Sequence, residues 1–99
     1  MKIYGIHGKR VFACAGSWAY VVEAGVDLPD GSNVYVTVQD YDGMELTVSK
    51  ESMYGFLVCN GEEPAEFLEE YRTWKDAKGS AYAPVFEKLK KVLKMLEED

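Results

Sequence analysis

"NVYVTVQDYDGMELTVS", residues 33–49, decides the fold. Apolar and polar residues alternate along both arms with the period of two expected of half-buried strands. Val34, Val36 and Val38 share one side of the first arm, and Met44, Leu46 and Val48 share one side of the second. Pairing 38 with 44, 36 with 46 and 34 with 48 puts all six on one face of an antiparallel ladder. The opposite face then holds Tyr35, Thr37, Glu45 and Thr47, which can meet water. "DYDG", 40–43, is the turn, and Gly43 is available for a positive φ.

Working outward, "KIYGI" and "RVFACA" read as two short strands separated by a turn at "HGK", 7–9. "SWAYVVEAG", 17–25, is rich in aromatic and β-branched residues and reads as a strand, with a short helix capped by Ser17 as the alternative. "DLPDGSN", 27–33, has loop chemistry at Pro29 and Asp30-Gly31. "MYGFLVC", 53–59, reads as a further buried strand.

Two helices are expected after it. The first starts near Pro64, a residue pre-organised for the first helical position, and ends at Gly79. Its stripe of Phe67, Leu68, Tyr71 and Trp74 spans an arc of about 120°. The second runs from Pro84 to Leu96, with Val85, Phe86, Leu89, Val92, Leu93 and Leu96 on one side. Strands followed by helices give an α+β domain. The expectation is an antiparallel sheet of about five strands over residues ~1–59, with two C-terminal amphipathic helices packed on one face. The whole of 1–99 forms one domain.

Composition narrows the function. The net charge is −6, with four Lys/Arg against seven Asp/Glu in residues 1–60 and seven against ten in residues 61–99. Nucleic-acid affinity depends on Lys and Arg releasing counterions from phosphates, so direct nucleic-acid binding is not expected. Apolar residues make up 47% of the chain, which argues against disorder. Lys9-Arg10 and "VFACAGSWAYVV" imitate a secretion signal, but the order is wrong and the apolar stretch is too short to span a bilayer. The expected location is the cytoplasm, without membrane attachment.

Cys14 and Cys59 have 44 residues between them, and His7 is the one histidine. Structural zinc needs four closely spaced ligands, so no metal is assigned. Both cysteines read as small buried hydrophobes and His7 as a solvated turn residue. "FACAGSWAY", 12–20, has the flavour of the papain-like signature Cys-Gly-[Ser/Ala]-Cys-[Trp/Tyr]. There, however, the nucleophile directly precedes the aromatic residue, a place held here by Ser17, and no histidine follows His7. Asp40 and Asp42 imitate the start of a calcium loop, and Glu51 stands at its twelfth position. Met44 and Glu45 fail it at the fifth and sixth. "GEEPAEFLEEY" has five glutamates and reads as a solvated helix face or an acidic patch for a basic partner. "KLKKVLK", 88–94, reads as the polar face of the last helix.

No catalytic, cofactor-binding or metal residue is therefore assigned, and no cofactor is expected. The expected function is that of a non-catalytic module that binds or regulates another protein, with the open sheet face around Tyr35 as a candidate surface. A second copy of the chain, joined as a homodimer through that face or an edge strand, is a further candidate partner. The alternative is a small-molecule-binding protein or minor enzyme, with a pocket between sheet and helices built from Tyr, Trp and Cys14.

Overall fold

The computed structural model describes residues 1–12, 18–40 and 43–98. Its elements are β1 (Lys2–Phe12), β2 (Trp18–Asp27), β3 (Asn33–Asp40), β4 (Met44–Ser49), α1 (Met53–Cys59), β5 (Phe67–Tyr71), α2 (Trp74–Ala77) and α3 (Ala83–Glu97). The five strands form one sheet in the order β1-β2-β3-β4-β5, and every neighbouring pair is antiparallel. The α+β class and the five-stranded antiparallel sheet are as the patterning implies, but the sheet does not fit within residues ~1–59, because its fifth strand is 67–71.

The central hairpin forms with its register moved by two residues. Val38 pairs with Leu46, Val36 with Val48 and Asp40 with Met44. An even shift leaves every side chain on its face, so the apolar side is the expected one. Closing the ladder at 40 and 44 adds pairs to it, including a 2.9 Å hydrogen bond from Gln39 to Glu45. Gly43 takes φ +116° beside that closure.

Three segments differ from the sequence reading. Residues 2–12 form one strand, without a turn at 7–9. Tyr4 pairs with Gly25 and His7 with Glu23, so Gly5 and Ile6 together face Ala24. This is a bulge with a left-handed glycine in its first position, Gly5 having φ +62°. Residues 53–59 form a helix where a strand was expected. A seven-residue apolar run does not separate the two by periodicity, and the ends decide. Ser52 accepts a hydrogen bond from the Gly55 amide, and Asn60 closes the helix in the left-handed region at φ +56°.

Residues 64–78 are the third case. Instead of one long helix they hold β5 and the four-residue α2. Phe67, Glu69 and Tyr71 are half-buried while Leu68 and Glu70 are exposed, the alternation of a strand. β4 needs a second neighbour, and β5 supplies it by pairing Tyr71 with Leu46 and Glu69 with Val48. Pro64 is buried ahead of the strand and starts no helix. Thr73 caps α2 by accepting from the Asp76 amide.

Both C-terminal helices serve one face. Val85, Phe86, Leu89 and Leu93 of α3 and Ala77 of α2 are buried with Val22, Ala24, Val26, Val34, Val36, Val38, Leu46 and Val48. The opposite face, expected to be open, is partly closed by α1. Val21, Glu23, Thr37, Thr47 and Ser49 are buried there, and Tyr35 is half-buried. Among the described residues no helix is long and apolar enough to cross a membrane.

Candidate functional site: the bulged edge strand

The bulge determines what β1 presents. Placing Gly5 and Ile6 against one partner residue reverses the in-out alternation beyond them. His7 consequently projects on the α1 side, beside Glu23. Gly8 falls on the α3 side, where a Cβ would come within 2.9 Å of Leu96. Re-aiming a side chain is a common use of a bulge.

Glu23 is 1% exposed and its carboxylate accepts three hydrogen bonds. One oxygen accepts from the Thr37 hydroxyl at 2.7 Å and from the Tyr54 amide at 2.9 Å, and the other accepts from the Ser52 hydroxyl at 2.6 Å. Ser52 in turn caps α1. His7 Nε2 lies 3.9 Å from Glu23, and its imidazole meets the Tyr54 ring edge-on at 4.2 Å between centroids. His7 Nδ1 is 2.6 Å from the Gly5 carbonyl, where a ring N–H can donate across the bulge. Burial raises the Tyr54 hydroxyl above its ordinary pKa, and the charges of Cys59 and Glu23 add to the effect. With three donors already on its oxygens, Glu23 holds the start of α1 to the sheet. It is an anchor.

Glu69 plays the same part on the other side. It accepts from the Tyr71 hydroxyl at 2.7 Å and from the Ser80 hydroxyl, and Ser80 accepts from the Tyr82 amide at the start of α3. The hydrogen bond to Glu69 raises the Tyr71 pKa, followed by burial and the charge of Glu69. Burial raises that of Tyr82, followed by the charges of Glu69 and Asp30.

The residues singled out in the sequence fall as follows. Cys14 lies outside the described residues, so its relation to His7 and Cys59 does too. Cys59 is exposed at the end of α1, where a buried strand position was expected. His7 belongs to a strand, its side chain 47% exposed, where a turn was expected. Asp42 lies outside the described residues. Glu45 bonds Gln39 and sits 3.9 Å from Arg72. Among the described residues no three His, Cys, Asp or Glu side chains gather as metal ligands. Glu23 escaped the sequence reading. Its signal was present, because a single acid inside the apolar run "WAYVVEAGV" must find partners if that strand is buried.

The outer strands remain. Among the described residues β1 pairs with β2 alone and β5 with β4 alone. Residues 1–22 contain Lys2, Lys9 and Arg10 and no Asp or Glu, although the chain as a whole is at −6. The Arg10 guanidinium lies 4.3 Å over the Trp18 ring, and Trp18 as a residue is 52% exposed. Tyr4 and Ile6 are also exposed on this strand. β1 is thus a basic, partly aromatic edge with unpaired backbone groups on a protein that is otherwise acidic. Comparison with protein-family models, curated proteins and solved structures finds no match for the chain.

Proposed function

We propose that this chain is a non-catalytic protein-binding module that captures an acidic, extended segment along the free edge of β1. The observation that carries the proposal is the position of every cation of residues 1–22 on an outermost strand. An extended peptide adds to such an edge through main-chain hydrogen bonds, and its alternate side chains supply specificity. Lys9 and Arg10 project to opposite faces of the sheet, so acids at adjacent positions of the incoming strand meet one each. The exposed Tyr4, Ile6 and Trp18 add apolar area near the same edge. A polypeptide partner in the cytoplasm fits this charge pattern better than a nucleic acid, which the net charge of −6 repels.

The test is an NMR titration of the labelled protein with a Val-Glu peptide in which adjacent pairs of Glu alternate with pairs of Val, so that each face of the extended chain carries acids. Amide shifts confined to residues 7–12 and their β2 neighbours are expected, and they should vanish in Lys9→Glu/Arg10→Glu. A peptide that perturbs no amide, or only those of α1 and α3, defeats the proposal.

A further inference from the structure

The other outer strand suggests where an acidic segment comes from. Residues 51–71, which end in β5, hold six glutamates and no Lys or Arg. Those at β5 are Glu66, 3.5 Å from Lys50, Glu69, which accepts from Tyr71 and Ser80, and Glu70, so the sheet is polarised across its width between a basic edge at β1 and an edge at β5 whose net charge is negative up to Arg72. Four strand spacings, about 19 Å, separate the two edges. That exceeds the screening length of about 8 Å at physiological salt, so the edges do not neutralise one another within a molecule.

We infer that a second copy of this chain supplies the acidic segment, its β5 edge docking on the β1 edge of the first to continue the sheet; this inference rests on the proposed role of β1. Unbroken pairing on β1 runs over residues 7–12, with 2–4 beyond its bulge, and on β5 over residues 69–71, with Phe67 beyond a second irregularity, so the shorter run of β5 sets the length of the contact. Charge selects the pairing. β1 on β1 sets cations against cations and β5 on β5 sets carboxylates against carboxylates, both of which destabilise a ladder. β1 on β5 alone brings opposite charges together. Leu68, 42% exposed on β5, and Ile6 and Trp18 near β1 are among the large apolar side chains left in water by the isolated chain. The contact is head-to-tail, and each added copy leaves one edge of each kind free. Growth beyond a dimer follows unless the rotation between copies closes a ring.

Sedimentation velocity over micromolar to millimolar concentration tests this. The expected result is an 11.1 kDa species at the lowest concentration that passes through dimer to larger species. Lys9→Glu/Arg10→Glu and, separately, Glu66→Lys/Glu70→Lys should each weaken association about tenfold or more. Glu69 is left intact because it anchors α3. An equal mixture of the two variants should recover association, since each supplies the edge that the other lacks, and recovery also shows that both are folded. A chain that stays at 11.1 kDa throughout, association that stops at a dimer without ring closure, or association that survives both charge reversals overturns the inference. A peptide of residues 61–71 and the Val-Glu peptide separate the two proposals. If both peptides bind β1 while the chain stays monomeric, the reading of β1 stands and self-docking falls. If neither binds, both fall.

Discussion

Replacing Glu23 tests the account of how α1 is held. In Glu23→Gln the side chain keeps its size, but one oxygen becomes an NH2 group. Its remaining oxygen can still accept from Thr37 and the Tyr54 amide, while the NH2 faces Ser52, whose oxygen already accepts from Gly55. Hydrogen bonds to a charged group contribute about 1.5–3 kcal/mol and neutral ones about 0.5–1.5. Losing one bond at about 2 kcal/mol and weakening two by about 1 kcal/mol each therefore costs about 4 kcal/mol. Glu23→Ala also strands those two buried donors and opens a cavity, at about 6 kcal/mol or more in all. For a domain of this size each kcal/mol moves Tm by about 4–8 °C, so Gln should lower it by about 16 °C or more and Ala by about 24 °C or more. Thermal unfolding by circular dichroism gives the magnitudes. Amide exchange gives the location, and protection at Tyr54 and Gly55 should fall before that of β3. A Gln variant within about 2 °C of the parent, or one equal to Ala, would refute the anchoring role.

Three other outcomes follow from particular contacts. A Cβ on Gly25 would lie 2.7 Å from the Tyr4 ring, so Gly25→Ala should destabilise by about 1 kcal/mol by displacing that ring; the cost should shrink in a Tyr4→Ala background, which a double-mutant cycle in urea measures. Tyr71 has a raised pKa in the folded chain through its bond to Glu69. Its contribution is fully present below the unfolded value of about 10 and is lost as pH rises through the folded value; stability measured at increasing alkaline pH should fall less steeply in Tyr71→Phe. The Ser32 hydroxyl and amide lower the pKa of Asp30, so its contribution holds above the unfolded carboxylate value of about 3.9 and fades as pH falls through the folded one. Asp30→Asn should flatten that part of the acid limb, and an unchanged limb would show that the turn contributes nothing.

The candidate surface was only half legible in the sequence. The cations of residues 1–22 and the glutamates of 51–71 stand in plain view, yet their meaning depends on strand order. Were β1 central, Lys9 and Arg10 would pair within the sheet and no basic edge would exist. Glu23 was visible as an isolated acid, but its donors come from β3 and from α1, residues 14 to 31 positions away.

Local pattern determined what depends on neighbours in the chain. The alternation of 33–49 specified a hairpin and its apolar face, and the 3.6-residue stripe of 84–96 specified α3. Both signals are long enough to exclude the other period. Tertiary structure decided the short or ambiguous segments. Residues 53–59 became a helix because Ser52 and Asn60 cap it and Glu23 receives its start, and residues 67–71 became a strand because β4 had an edge to fill. A run of five to seven residues carries too few periods to choose for itself. Its conformation follows from the hydrogen-bonding groups that the rest of the fold leaves beside it.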